Sequence, residues 1–418
     1  MEIIISKLLG VLGIIIIFFI LWILSKNKKN FPFRIILIGI SLQLTIAIII
    51  LYIPATFFVF QWIGDRVRDF LDFSKKGAEF LFGNIGKSEN NNVFGFQFAI
   101  IISSTIIFFS AFVSVLYRYG IIQKIVYAIA WLMQKTMKTS GVESLAVASN
   151  IFLGQTEAPL LVRHYLKNVS SSELFTIMTG GFATIAGGVM AAYIQMGISP
   201  VFLITASLIS APGSIILSKI LIPPTSDFLN LKEIKNISIP QSSNLLDAIT
   251  QGAADGMKLS LNIIAVLIAF ISLIALIDSG LSITNQWLAG IGFNYFPTSI
   301  KEIFGYIFQP FAYFVGVPAS EAKILGSLIG TKISLNEFLA YADLSQLILE
   351  HKISERTASI ATFALCGFAN FGSIAVQIGG LGALVPEKRA EIARFGIKAM
   401  FVGAFVNLLT ALIASFFI

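Results

Sequence analysis

The chain sets Gln155, Thr156 and Glu157 side by side in NIFLGQTEAPLLVRHYL, and Asn336 and Glu337 together in GTKISLNEF. A carboxylate with amide and hydroxyl neighbours can hold a ligand by hydrogen bonds or carry a proton. Thr184, Asn370 and Ser373 add neutral donors and acceptors inside otherwise apolar segments. The set contains no arginine, so it suits an uncharged, polyhydroxylated molecule better than an anion. Phe368 either offers a face to a flat ring or simply packs. Asn150, the Leu153 carbonyl, Thr184 and the Ile185 carbonyl are hard oxygen groups. They either hold a small cation at a half-helix end or bond neighbouring helices. The residues alone leave both readings open.

Catalysis finds little support. No nucleophile–base pair or metal triad lies near these groups, the two histidines (His164 and His351) are far apart, and Cys366 is the single cysteine. The chain is therefore not read as an enzyme, and no organic cofactor is expected.

The elements that position these groups must sit in lipid. Of 418 residues 56% are hydrophobic and 12% charged, and mean hydropathy is +0.87. Soluble domains carry about twice that charged fraction, so the composition implies an all-α polytopic membrane protein. Its net charge of +7 reflects basic cytoplasmic loops and not a nucleic-acid partner. Eight spans are expected near 3–25, 35–62, 96–117, 173–196, 199–221, 258–278, 357–381 and 396–418. Residues 3–25 read as the first span and not as a cleavable leader, being too long and lacking a small-residue cleavage site.

The basic loop from Lys26 to Arg34 places that end of the first span in the cytoplasm and both termini outside. Alternation then puts Arg118, Lys124, Lys135 and Lys138 inside, and also Lys388, Arg389 and Arg394. The 222–245 linker falls inside too, with Lys232 and Lys235 against Asp227 and Glu233. The five basic and five acidic residues of 64–89 cancel outside. Residues 65–83 mix apolar and charged positions as an interfacial amphipathic helix would.

Two regions do not read as single spans. Residues 141–167 and 317–350 each have two short apolar halves joined by a polar centre, with both ends on one side. They read as re-entrant helical hairpins entering from opposite faces. In the first, residues 143–153 form the inner half-helix, and Thr156 caps a second half-helix with Glu157 and Pro159 in its first turn. After each hairpin comes Ser-Glu (172–173, 354–355) and then Gly-Phe-Ala (181–183, 367–369) inside an apolar span. Matching glycine-rich breaks in spans of opposite direction imply an inverted repeat with a site at mid-membrane. Opposed hairpins closing on a polar centre favour occlusion over a continuous pore.

The blocks are 1–95, N-terminal spans and interfacial helix; 96–140, a scaffold helix and interfacial segment; and 141–221, first hairpin, broken helix and following span. Then come 222–316, linker, sixth span and interfacial segment, and 317–418, second hairpin, broken seventh span and eighth span.

The stretches GQTEAPLLV, GGFATIAGGV, GVPASEAKILGSLIGTKISLNEF and ALCGFANFGSIAVQIGGLGALVPEKR closely resemble the concentrative nucleoside transporters, over roughly 95–418. The resemblance implies a homotrimer in a bacterial inner membrane, each protomer with its own elevator-like transport domain. It further implies import of nucleosides such as uridine, cytidine or adenosine by symport with Na+. Proton coupling through Glu157 or Glu337 is the alternative. Carried over by motif, Gln155, Thr156 and Glu157 would bind the base, with Val189 and Phe368 packed on it. Glu337, Asn370 and Ser373 would hold the ribose, and Asn150, Leu153, Thr184 and Ile185 the sodium ion. Thr184 stands where serine is common, but keeps the hydroxyl. Lys332 has no assigned role beyond structure or gating.

Overall fold

The computed structural model describes residues 2–86, 97–224, 242–293 and 295–418, and these residues contain helices and no strand. The charges of the 222–245 linker at Asp227, Lys232, Glu233 and Lys235, and the block boundary at 95–96, lie outside them.

Helix α1 (Glu2–Ile23) matches the first expected span, and α2 (Phe33–Ala47) continues as a π-helical turn to Tyr52. Here the 35–62 span needs correcting. Pro54 forces the residue before it away from helical geometry, and Ile53 is extended. Pro54 then opens α3 (Pro54–Phe82), so the amphipathic helix expected from 65 begins eleven residues earlier. It packs on α4 (Phe98–Arg118) through a Ser74–Thr105 hydroxyl contact of 3.0 Å and through Phe70 against Phe108 and Phe112. Helix α5 (Ile121–Met137) follows, with Trp131 and Leu132 exposed and Val126, Ala130 and Met133 buried.

The first hairpin begins with α6 (Gly141–Ser149), shorter than the expected 143–153 half-helix, and started by a Ser140–Glu143 capping box. Its return arm is also a correction. Ala158–Val162 and Leu166–Asn168 are 3₁₀ turns, and Thr156 does not cap them. Pro159 supplies no N–H, and the chain turns tightly through Glu157 N and Ala158 N, both donating to Gly154 O at 3.0 Å. Helices α7 (Ser171–Ala183) and α8 (Gly187–Gln195) then form the expected broken span. Helix α9 (Pro200–Leu221) is nearly all buried.

Helix α10 (Leu245–Gly290) replaces the expected 258–278 span with 46 residues, about 69 Å at 1.5 Å per residue. Polar residues at both ends lower hydropathy without breaking the helix, which is started by Asn244 accepting from Asp247 N. It lies tightly on α4 because Gly252 and Gly256 carry no side chain. A Cβ on Gly252 would stand 2.5 Å from Ser114 Oγ, and one on Gly256 2.7 Å from Ile107 Cα. Then come α11 (Ile300–Phe314), the second hairpin α12 (Ala319–Ser334) and α13 (Glu337–Leu349), the broken pair α14 (Glu355–Leu365) and α15 (Phe371–Leu384), and α16 (Arg389–Ser415).

Among the described residues, six helical stretches are long and apolar enough to cross a membrane. The two other expected spans contribute shorter apolar helices, Lys7–Ile23 and Phe371–Leu384, the second short because residues 366–370 interrupt it.

Each hairpin is tied to the broken helix that follows it by a carboxylate in its first turn. In the second, Glu321 in the first turn of α12 accepts from Ser354 N (3.1 Å) and Ser354 Oγ (2.8 Å), and Ser354 caps α14. In the first, Glu143 of α6 pairs with Lys219 of α9 at 2.6 Å, and Lys219 donates to Ser172 Oγ of α7 at 2.9 Å. Both charges are wholly buried. A buried pair adds little net stability, but a lone buried charge costs about 3–5 kcal/mol. Lys219→Met should therefore lower the melting temperature of the purified protein sharply. Adding Glu143→Gln should restore most of it, because no unpaired charge then remains. A double variant as unstable as the single one would show that packing, not charge, dominates there.

Candidate functional site

The two hairpin tips and the two helix breaks meet in the core. At the second tip Asn336 caps α13, its Oδ1 accepting from Leu339 N at 2.8 Å, which places Glu337 at the first helical position. Glu337 is buried and accepts from Asn370 Nδ2 (2.8 Å) and Tyr193 Oη (3.3 Å). Asn370 is fixed from the other side, because its Oδ1 caps α15 by accepting from Ser373 N at 2.8 Å. The structure therefore brings Glu337, Asn370 and Ser373 into one cluster.

Tyr193, on α8, is a member that the sequence reading missed. It stacks on Tyr341 at 4.1 Å, and Tyr341 donates to Thr362 O at 2.7 Å. The available signal was helical spacing. Tyr193 is one turn beyond Val189, so both lie on the same side of α8.

The first tip is built differently. Glu157 turns back over its own loop, Oε2 accepting from Gly154 N at 3.1 Å. Asp255 of α10 and Tyr117 of α4 both interact with it electrostatically. Thr156, instead of capping, packs on α15, where a Cβ on Gly380 would stand 2.8 Å from its Cγ2. Gln155 lies across Gly181 of α7 from Gln377 of α15. Gln377 Nε2 donates to Met178 O at 3.0 Å, while Gln155 Oε1 and Gln377 Oε1 are buried without a partner. Ser373, Gln377 and Gly380 thus form one face of α15, running from Glu337's cluster toward the first tip. Val189 is buried and Phe368 half-buried.

The oxygen set expected to hold a cation lies where the first tip meets the first break. Asn150 terminates α6 and is buried, and neither its Oδ1 nor its Nδ2 has a partner. An orphaned buried amide is costly unless a ligand completes it. Thr184 donates its hydroxyl proton to Gly180 O at 2.9 Å, leaving the oxygen lone pairs free. Leu153 and Ile185 are buried, and among the described residues no backbone N–H outside the helices donates to their carbonyls. Phe152 O is taken by Gly187 N at 3.0 Å, which ties the tip to the start of α8. These neutral oxygens fit a small hard cation. Among the described residues no group of three or more His, Cys, Asp or Glu side chains could hold a metal.

A cavity of about 470 Å3 lies elsewhere, between α11 and the second hairpin. Its charges pair with one another, Lys301 with Asp343 (2.8 Å), Lys323 with Glu302 (3.1 Å) and Lys352 with Glu350 (2.6 Å). It therefore makes a poor second candidate.

Comparison with known proteins gives the family and the fold. Residues 202–415 match the family model described as the C-terminus of Na+ dependent nucleoside transporters, residues 12–85 its N-terminus, and residues 99–200 a nucleoside recognition model. The nucleoside permease NupC of Helicobacter pylori is 38% identical over 418 residues, covering 99% of this chain and 98% of the permease. The sodium/nucleoside cotransporter 1 of Rattus norvegicus is 39% identical over 98% of this chain, which spans 63% of the rat protein. Among solved structures, CNTnw in an inward-facing substrate-bound state superposes with a TM-score of 0.91 at 36% identity, covering 99% of this chain and 98% of that one. An outward-facing CNTnw variant gives 0.92, also at 36% identity, over 98% and 97%. With matches along nearly its whole length, the chain belongs to the Na+-dependent, concentrative nucleoside transporter family, and is a transporter and not an enzyme.

Proposed function

We infer that this protein imports nucleosides by symport with sodium, and that the ion binds at Asn150, Leu153, Thr184 and Ile185. The observation that carries this reading is the buried Asn150 amide with no partner, set beside two buried residues to whose carbonyls no described backbone N–H outside the helices donates. The nucleoside lies along α15, its ribose hydroxyls on Glu337, Asn370 and Ser373. Its base meets Gln155, Thr156 and Glu157, between Val189 and Phe368. The unpaired Gln155 oxygen supports that placement.

The hairpins re-enter from opposite faces and move with α7, α8, α14 and α15 as the carrier of an elevator, in the block order given by the sequence. Helices α4 and α10 form the scaffold. The apolar surface of α10, with Leu261, Ile268 and Leu276 exposed, supports contact with lipid and with further copies in a homotrimer. Eight spans with both termini outside, in a bacterial inner membrane, complete the reading. The first tip sits against Tyr117, at the end of α4 assigned to the cytoplasm, which favours an inward-facing arrangement.

The deciding experiment is uptake of radiolabelled uridine by purified protein in liposomes, with sodium or proton gradients imposed separately. Accumulation driven by sodium at equal pH supports the reading. Accumulation driven only by a proton gradient, unchanged when sodium is removed, replaces it with proton symport through Glu157 or Glu337.

A further inference from the structure

Lys332 and Asn407 are almost wholly buried, yet neither belongs to the nucleoside or sodium set. Asn407 lies on α16 and donates through Nδ2 to two backbone carbonyls, Ala183 O and Cys366 O, each at 2.7 Å. Ala183 is the last residue of α7, directly before Thr184. Cys366 directly follows α14, two residues before Phe368. Backbone carbonyls can only accept, so the amide is held in one orientation and its oxygen must face the other way. There it accepts from Lys332 Nζ, which also donates to Ala364 O at 3.0 Å. One amide group thus joins the carbonyl ends of both half-helices, and a lysine from the second hairpin holds it.

The surrounding residues make room for this junction. A Cβ on Gly367 would stand 2.4 Å from Asn407 Oδ1, and one on Gly403, a turn earlier on α16, 2.5 Å from Phe182 Cβ. The two breaks also touch directly, Phe368 N donating to Thr184 O at 3.3 Å. Asn150 offers a contrast, as a buried amide with both atoms free beside the proposed ion. The same amide chemistry is left open at one point and fully occupied at the other.

We propose that Asn407, held by Lys332, couples the ion site to the nucleoside pocket. The proposal rests on the sodium reading above. An ion bound at Thr184 and Ile185 fixes the chain just after Ala183. Because Asn407 holds Ala183 O and Cys366 O together, that constraint reaches the second break and orders Phe368 and Asn370 for the nucleoside. Coupling of this kind is reciprocal, so the nucleoside tightens sodium by the same factor. Asn407 and Lys332 are positioning residues, and they form one physical element that both ligands bias.

The test is calorimetric titration of purified full-length protein with uridine, with and without sodium, and with sodium alone. Asn407→Asp keeps the size and an acceptor for Lys332 but removes both N–H donors. It should cut the factor by which sodium tightens uridine binding at least tenfold, while sodium affinity without nucleoside changes less than threefold. Lys332→Met should reduce the same factor at least threefold. A coupling factor unchanged in Asn407→Asp overturns the proposal, as does parallel weakening of both ligands with that factor intact. Should Asn407→Asp fail to accumulate, Asn407→Ser, which keeps one donor, decides by the same factor, and Lys332→Met decides if both fail. Wild-type protein whose uridine affinity ignores sodium would instead overturn the sodium reading itself.

Discussion

Glu337→Gln is expected to abolish measurable uridine uptake, a loss of about 100-fold or more, while the protein still reaches the membrane and keeps its melting temperature. The expectation follows from which donors surround the carboxylate. Asn370 Nδ2 can only donate, so a glutamine must turn its oxygen toward Asn370. Its NH2 then faces Tyr193, whose hydroxyl can rotate and accept. The protein network therefore survives the change, and the fold has little reason to suffer.

The substrate has no such freedom. Two ribose hydroxyls donating to a carboxylate form charge-assisted bonds, each worth about 1.5–3 kcal/mol. With glutamine one acceptor becomes a donor and the other loses its charge. Loss of the two together corresponds to roughly two powers of ten or more in affinity. Tyr193→Phe supplies the contrast. It removes one donor from Glu337 but leaves both carboxylate oxygens for the sugar, so its effect should stay within about tenfold. Uptake by Glu337→Gln within tenfold of wild type at equal surface expression would remove Glu337 from the ribose site.

How far this site could be read from the sequence depends on where each residue's signal lies. Glu337, Asn370 and Ser373 stand out because a polar residue in an apolar run is costly and so marks a constraint. The breaks after Ala183 and Leu365 were legible because Gly-Phe-Ala recurs behind both hairpins. Asn407 and Tyr193 are also polar, but each sits alone in a helix whose pattern looks ordinary, and only tertiary contact reveals the partner. The return arm of the first hairpin failed for a different reason. Thr-Glu-Ala-Pro is a sound helix-start pattern, but Thr156 is occupied by packing on α15 and Glu157 bonds back to Gly154. Tertiary contacts outcompeted the local cap. The long α10 was cut short because hydropathy locates the lipid-facing part of a helix and not its ends.

Asn150→Ala is the second large effect, and its sign separates a ligand from a structural residue. Truncating a buried asparagine normally strands its former partners and destabilises by about 1–3 kcal/mol. Asn150 has no side-chain partners to strand. Its backbone N–H donates to Ala146 O at 3.1 Å, and alanine retains that bond. Stability without sodium should therefore be unchanged or higher, since an unsatisfied buried amide disappears. If sodium binds as proposed, the whole loss then falls on the ion, which would give up one of four oxygens. The sodium concentration giving half-maximal uptake should rise at least tenfold, while uridine affinity at saturating sodium falls less than threefold. Sodium should also raise the melting temperature of the wild-type protein and not of the variant, because a ligand stabilises only the state that binds it. Thr184→Val should shift the sodium curve in the same direction but also lower stability, since Thr184 bonds Gly180 O. If Asn150→Ala destabilises the sodium-free protein and leaves the sodium curve in place, Asn150 is a structural residue and the ion binds elsewhere.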